Sequence, residues 1–178
     1  MNQKIRWITQ TAVMLALLLA LQVLSKGFGQ LVTGSFVNAV LAVAVLVGGL
    51  GCGITVAAVS PVLAYLLGIA PQILTVPAIM VGNSVFVIVL HLLAKGGAVR
   101  NAIAWLAAAI AKFLALYGMV AGLLCGVLAQ PLLDSGALKP PMLQALPVTF
   151  GIPQLITALL GGGVALLIAP VLRKALRK

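Results

Sequence analysis

Lys112 is the residue of this sequence best suited to do chemistry, because it stands alone in a long apolar stretch from residue 101 to 128. An ammonium group inside a membrane is costly and is a functional hypothesis by default. The single acid, Asp134, lies in a loop flanked by Pro and Gly, so we expect Lys112 to pair with a carboxylate or phosphate of a ligand. The alternative is that its stem snorkels back to the membrane surface, about 10 Å away if Trp105 marks that surface.

Uncharged polar side chains form a second group of candidates, because they fall toward one side of the predicted bundle. An amide or hydroxyl in lipid needs a hydrogen-bond partner, which is either a neighbouring helix or a ligand. Sites for small molecules are mostly apolar with a few converging polar groups, and these side chains could supply such a site. They are Gln22, Gln30, Thr33, Asn38, Gln72, Thr75, Asn83, Ser84, Thr149, Gln154 and Thr157.

The shortage of acids excludes several classes of enzyme and transporter. Paired-carboxylate hydrolysis, magnesium-dependent phosphoryl transfer and carboxylate-driven proton or sodium coupling all need Asp or Glu side chains. The sequence has no phosphate-binding loop, so the energy for any uphill transport must come from another subunit. Cys52, Cys125 and His91 are too few and too far apart in sequence for a metal site. We therefore predict no metal, no cofactor and no enzymatic activity.

The composition is typical of a membrane protein. Of 178 residues, 63% are hydrophobic and 7% are charged, whereas a soluble domain is about half apolar and about a quarter charged. The 11 Lys and Arg residues and the single acid give a net charge of +10. Because the basic residues lie at the ends of apolar runs, we expect them to contact membrane lipid headgroups and to bind no nucleic acid. The sequence predicts an all-α polytopic membrane bundle.

Both ends of the chain are basic, which predicts the topology of this bundle. Lys4 and Arg6 begin it, and Arg173, Lys174 and the last two residues end it. By the positive-inside rule both termini are cytoplasmic, which requires an even number of crossings. We predict a single six-helix domain over residues 1–178, multi-pass in a bacterial cell membrane. The predicted transmembrane helices cover residues 5–25, 32–47, 52–67, 76–94, 101–128 and 147–172.

Small residues recur every four positions in two of the predicted helices. On the first helix, Ala12, Ala16 and Ala20 leave a groove into which a second backbone can come close, and such close approach drives helix association in lipid. On the fifth helix a similar stripe of alanines continues with Gly118, Gly122 and Gly126. We expect this second stripe to pack against helices of the same chain.

Together these features resemble the substrate-binding S component of an energy-coupling factor (ECF) vitamin transporter. The resemblance covers essentially the whole chain and includes its size, the six helices and the cytoplasmic termini. The residues that carry it are the stripe Ala12, Ala16 and Ala20, the segment Gly29–Gly34 with the sequence GQLVTG, then Pro61, Pro71, Gly82 and Asn83.

The resemblance implies a function and a set of partners. An S component binds a vitamin or related micronutrient at the outer side and docks through the small-residue face of its first helix onto a transmembrane coupling subunit, which two ABC ATPases drive. The aromatic content is only 5%, so a small carboxylated compound such as lipoate, pantothenate or niacin suits Lys112 better than a flavin-like ring. The substrate-binding residues expected on this basis are Gln30, Thr33, Asn38, Gln72, Asn83, Lys112 and Gln154.

Two other classes of function stay open from the residues alone. A structural or assembly subunit without a ligand would use the same alanine and glycine stripes. A small integral membrane enzyme would need a nucleophile with a base, or a metal cluster, and His91 has no such companion in the sequence.

Overall fold

A computed structural model of the chain describes residues 3–69 and 72–176, so Pro71 and the terminal pair Arg177 and Lys178 lie outside the described residues. The described part is helical and contains no β-strand. Five of its segments are long and apolar enough to span a membrane, which confirms the prediction of an all-α polytopic bundle. The α-helices are α1 (Gln3–Ser25), α2 (Gln30–Leu66), α3 (Val76–Leu93), α4 (Ala98–Tyr117), α5 (Ala129–Asp134), α6 (Pro140–Thr149) and α7 (Ile152–Leu176).

The longest helix, α2, folds back on itself at Gly49. This residue has φ 85° and ψ 178°, a conformation that glycine adopts readily and that other residues rarely do. The two halves then run side by side, because a Cβ placed on Gly53 would lie 2.8 Å from the Cβ of Val45. Eight residues of straight helix would instead separate these positions by about 12 Å. The predicted helices 32–47 and 52–67 correspond to the two halves of α2, joined by a tighter turn than we predict.

The chain beyond α4 departs from the predicted boundaries. In place of a loop followed by a helix over 147–172, the structure has two short helices, α5 and α6, and α7 begins only at Ile152. Pro147 lies inside α6, whereas Pro153 lies in the first turn of α7. Proline suits the first turn of a helix, so both prolines were possible starting points. The predicted start of this helix is therefore wrong by about one turn.

Glycines allow α7 to approach both α2 and α4 closely. A Cβ on Gly161 would lie 2.7 Å from the backbone nitrogen of Ala39, so only glycine fits where α7 crosses α2. On the α4 side, the indole ring of Trp105 lies against Gly162, and its Nε1–H donates a hydrogen bond to the carbonyl oxygen of Ala158 at 3.3 Å. Trp105 therefore packs between α4 and α7.

The glycine end of the stripe on α4 does not pack, contrary to our expectation. Ala104 and Ala108 are fully buried, but no described atom lies within 4 Å of a Cβ placed on Gly118 or Gly122. These two glycines belong to a π-helix, Gly118–Val127, that continues α4. A π-helix has a wider turn than an α-helix, so residues four apart no longer share one face.

Most basic residues of the described part gather at one end of the bundle. Nε of Arg173 donates a hydrogen bond to the carbonyl oxygen of Leu46 at 2.7 Å, and the indole of Trp7 lies against Gly51. Lys95 and Arg173 line one small cavity of about 230 Å³. The start of α1, the Gly49 turn, the α3–α4 connection and the end of α7 therefore lie together. This basic end carries Lys4, Arg6, Lys95, Arg100, Arg173 and Lys174.

Candidate functional site

A cavity of about 450 Å³ lies among α1, α2, α3, α4, α6 and α7. Its volume is within the range of small-molecule sites. Residues from distant parts of the chain converge on it, and they include every residue that the sequence analysis assigns to substrate binding. Those lining residues are Gln30, Thr33, Asn38, Gln72, Asn83, Lys112 and Gln154.

Lys112 reaches this cavity from α4 and is only 2% exposed. Its Nζ donates hydrogen bonds to Oδ1 of Asn38 at 2.6 Å and to Oδ1 of Asn83 at 2.7 Å. The ring of Phe86 lies with its centroid 5.7 Å from Nζ, a distance at which an aromatic face attracts a cation. Lys112 therefore does not snorkel to the membrane surface, because its ammonium group is held inside the bundle between α2, α3 and α4.

The two asparagines differ in how completely they are hydrogen-bonded. Nδ2 of Asn38 donates to the carbonyl oxygen of Gly34 at 2.8 Å and to Oγ1 of Thr157 at 3.2 Å. Nδ2 of Asn83 is buried and has no hydrogen-bond partner among the described residues. A buried polar group without a partner costs about 1–3 kcal/mol. Asn83 therefore has an unused NH2 group, with two N–H donors, beside the ammonium of Lys112.

Two further unpaired groups of the cavity are acceptors. Oε1 of Gln22 on α1 and Oε1 of Gln72, which precedes α3, are both buried and have no hydrogen-bond partner within residues 3–69 and 72–176. Both side chains line the cavity. The predicted substrate-binding set omits Gln22, although its amide inside an apolar helix is the same signal that identifies Gln30 and Gln72.

Two hydrogen bonds connect different segments at the side of the cavity opposite the basic end. Nζ of Lys26 donates to the carbonyl oxygen of Gly68 at 2.8 Å, and Nε2 of Gln30 donates to the carbonyl oxygen of Thr149 at 2.8 Å. Lys26, Gln30, Gln72 and Thr149 all line the cavity there, and we call this side the mouth. The sequence analysis does not assign Lys26 to the site, because a lysine just beyond an apolar run is also expected at any membrane surface.

Thr33 and Gln154 line the cavity while also tying the fold together. Oγ1 of Thr33 donates to the carbonyl oxygen of Ser25 at 3.0 Å, which fastens α2 to the end of α1. The backbone carbonyl oxygen of Gln154 accepts a hydrogen bond from Oγ1 of Thr157 at 3.0 Å. Gln154 also lines the cavity.

The remaining wall of the cavity is largely apolar. Part of it comes from α6, whose first seven residues lie before the predicted helix 147–172, so Leu146 is missing from the prediction. Phe150 lies within that predicted helix, but the predicted substrate-binding set contains no apolar residue. Apolar walls with a few polar groups are typical of sites for small organic molecules. The apolar wall residues are Val37, Pro61, Ala64, Ile69, Ile79, Ala145, Leu146 and Phe150.

The charge of the cavity is positive. Lys112 and Lys26 line it, whereas the only acid of the chain, Asp134, accepts a hydrogen bond from Gln130 at 3.0 Å on exposed α5. Charge-assisted hydrogen bonds from an ammonium to a carboxylate are stronger than neutral ones. In the described part of the chain no three His, Cys, Asp or Glu side chains cluster as metal ligands would. The arrangement can hold a small anion with an apolar body.

The alanine stripe of α1 faces away from the bundle. Ala12, Ala16 and Ala20 are all exposed, and so are Val13 and Leu17 beside them. The contacts of α1 with the rest of the chain are made by its opposite side, where Leu18 is buried. The stripe is therefore not used in the packing of this chain.

Comparison with known proteins adds no further information about this site. No protein-family model, curated protein or solved structure matches the chain. The function of the cavity must therefore be inferred from its own residues.

Proposed function

We propose that this chain is the membrane-embedded binding subunit of a transporter, and that it captures a small carboxylated vitamin or related micronutrient in the cavity around Lys112. The observation that carries the proposal is the buried ammonium group, which is hydrogen-bonded to two neutral amide oxygens in a cavity without any acid. A buried charge needs an opposite charge to be stable. A carboxylate on the ligand supplies it.

The size and walls of the cavity support a small ligand. Its volume of about 450 Å³ accommodates a compound of the size of lipoate, pantothenate or niacin. Among the residues that the structure describes, Phe150 is the only aromatic one that lines it, so a large flavin-like ring would find little stacking surface. The walls are mostly aliphatic, which favours a ligand with an aliphatic body.

We further propose that the basic end faces the cytoplasm of a bacterial cell and that the mouth faces outward. Lys and Arg residues accumulate on the cytoplasmic side of membrane proteins, and most basic residues of the chain lie at that end. In this orientation the cavity receives its ligand from outside, as the resemblance to an ECF S component implies. The exposed stripe of Ala12, Ala16 and Ala20 is the surface that docks onto the transmembrane coupling subunit.

The chain acts as a receptor in this proposal, and the motor is supplied by two ABC ATPases bound to the coupling subunit. The sequence contains no phosphate-binding loop of its own. The one imidazole, His91, lies eight residues beyond Asn83 on α3, which places it about 12 Å further along that helix from Lys112 and its partners. Binding rather than catalysis is therefore the activity that the cavity residues favour.

Isolation of the tagged chain from the membranes of cells that express it with its natural partners tests this proposal. We expect a transmembrane protein and two ATPases to copurify, and we expect the reconstituted complex to take up the bound compound only with ATP. A chain that recovers partners without ATPases and retains no small molecule would instead be an assembly subunit. Uptake by the chain alone against a gradient would also contradict the proposal.

A further inference from the structure

The cavity has an unpaired hydrogen-bond donor in one place and unpaired hydrogen-bond acceptors in another. Beside Lys112 the unpaired atom is a donor, Nδ2 of Asn83. Toward the mouth the unpaired atoms are acceptors, Oε1 of Gln22 and Oε1 of Gln72. A ligand that satisfies all of them must therefore carry acceptors at one end and a donor at the other.

The group that fits beside Lys112 is a single carboxylate. An ammonium has three N–H donors, and two of them are used by Asn38 and Asn83. The remaining N–H of Lys112 and the two N–H groups of Nδ2 of Asn83 make three donors, which the two oxygens of one carboxylate can accept together. One negative charge neutralises the one buried positive charge, whereas a doubly charged phosphate would leave a negative charge unpaired.

The group that fits near the mouth is a neutral donor. Amide oxygens accept hydrogen bonds and cannot donate them, so the unpaired oxygens of Gln22 and Gln72 call for a hydroxyl or an amide N–H. A second carboxylate would place its oxygens next to these amide oxygens, and neither group could donate a hydrogen bond to the other. The cation of this region, Lys26, is exposed and donates to the carbonyl oxygen of Gly68. Because water solvates its remaining N–H groups, Lys26 does not require a second anion to be stable.

The two places are separated by a stretch of cavity whose wall is mostly apolar. Asn83 lies seven residues beyond Val76, the first residue of α3, which corresponds to about 10 Å along the helix axis. Gln72 precedes that helix. Between these levels the wall includes Ile79 and Phe150, which offer no hydrogen bond to a polar spacer.

We infer that the cavity selects an elongated monoanion with a carboxylate at one end, an aliphatic middle about 10 Å long, and a neutral hydroxyl or amide N–H at the other end. This inference rests on the proposed function, because it takes the cavity to be the binding site. Beyond the proposed function, the inference specifies the polarity and the length of the ligand. Acids whose far end is purely apolar or anionic should therefore bind less tightly than acids with a hydroxyl or amide N–H there.

Four probe compounds that share an eight-carbon chain test the inference by isothermal titration calorimetry on the full chain in nanodiscs. They are octanoate, ω-hydroxyoctanoate, ω-methoxyoctanoate and octanol. We expect ω-hydroxyoctanoate to bind about 3- to 10-fold more tightly than octanoate, as one additional neutral hydrogen bond predicts. The methoxy compound should gain nothing, because an ether oxygen does not donate. Octanol should bind at least roughly 10-fold more weakly than ω-hydroxyoctanoate, because it lacks the carboxylate.

Substitution of Gln22 and Gln72 tests whether these two side chains cause the preference for the hydroxyl compound. Gln72→Leu and Gln22→Leu should each reduce the preference for ω-hydroxyoctanoate over octanoate, and the double variant should abolish it. Gln144→Leu is the matched control, because Gln144 is exposed on α6 and does not line the cavity. This control should keep the full preference.

The outcomes separate the inference from the proposed function. Equal affinity of the wild-type chain for octanoate and its hydroxy and methoxy derivatives would overturn the inference. It would still agree with the proposed function of the chain as a receptor. A preference that survives in the Gln22→Leu, Gln72→Leu double variant would also overturn it, because the hydroxyl would then be bound elsewhere. No binding of any of the four probes would contradict the cavity as a binding site and with it the proposed function.

Discussion

At the scale of single residues, the partners of Lys112 are neutral amides, and this decides what the lysine can do. Asn38 and Asn83 supply hydrogen-bond acceptors at 2.6 and 2.7 Å, so the ammonium has partners although it is buried. Neither asparagine carries a negative charge, so the positive charge itself is not neutralised. A carboxylate placed on Asn38 or Asn83 would have made a closed internal ion pair with no use for a ligand.

Removal of the ammonium is the simplest test at this scale. We predict that Lys112→Ala lowers the affinity for a carboxylated ligand by a factor of ten or more, because a hydrogen bond to a charged group contributes about 1.5–3 kcal/mol. Equilibrium titration of the purified variant measures the effect. Lys139→Ala is the matched control, since it removes the same charge outside the cavity and should bind like the wild type. Equal dissociation constants for Lys112→Ala and the wild type would show that the ammonium does not contact the ligand.

A second prediction at this scale concerns a substitution that places a negative charge of the protein beside Lys112. In Asn83→Asp the new carboxylate lies next to Nζ of Lys112 and forms an ion pair of nearly unchanged shape. We expect affinity for an anionic ligand to fall at least roughly 10-fold, because the ligand now meets a neutralised site, while the melting temperature stays the same or rises. Unchanged affinity of Asn83→Asp for the anionic ligand would contradict this interpretation of the site.

At the scale of the helices, α7 is positioned by glycine rather than by side-chain interlocking. Gly161 lies against the backbone of α2, and Thr157, one turn earlier, is close to Gly34 and to Asn38. Because Asn38 is a partner of Lys112, the same contact that packs α7 against α2 also holds the cavity in shape. Small residues allow such close approach in membrane bundles.

We therefore predict that Gly161→Ala destabilises the chain by about 1–3 kcal/mol, the usual cost of overpacking. The added methyl group would overlap the backbone of Ala39, and thermal unfolding in detergent measures the loss. Gly122→Ala is the matched control, since no described atom lies within 4 Å of a Cβ at that position. Equal melting temperatures for the two variants would mean that α2 and α7 do not pack as described.

The exposed face of α1 leads to a prediction about partners. Ala16→Trp adds bulk in the middle of the stripe, so we expect less coupling subunit and ATPase to copurify, while ligand affinity changes little because Ala16 does not line the cavity. Leu167→Trp is the control, because Leu167 is 78% exposed on α7, away from the stripe. Equal recovery of partners with Ala16→Trp and with the wild type would contradict docking through α1.

Features of the fold that depend on neighbouring residues could be predicted from the sequence, whereas features that depend on contacts between distant residues could not. The lengths of the apolar runs and the glycines around Gly49 are local features, and they were enough for the bundle and for the position of the turn within α2. The start of α7 was not predictable, because Pro147 and Pro153 offer equivalent signals. The pairing of Lys112 with Asn38 depends on the approach of residues 74 positions apart, so the sequence alone left snorkelling open.

At the scale of the whole molecule, function is divided between the two ends of the bundle. The basic end gathers the charges that orient a chain in a membrane, and the mouth and cavity lie toward the other end with the polar side chains. In the proposed function the chain binds its ligand passively and depends on companions for its release. The cationic cavity is therefore the feature on which the proposed function depends most.

The most direct test is native mass spectrometry of the chain and of Lys112→Met, each released gently from the membranes of expressing cells in rich medium. We predict that the wild type carries one small carboxylated molecule per chain and that the variant, although folded, carries none. Small-molecule fragmentation then identifies the compound. An identical adduct on both proteins, or a wild-type adduct without an anionic group, would contradict the assignment of Lys112 as the residue that binds the ligand.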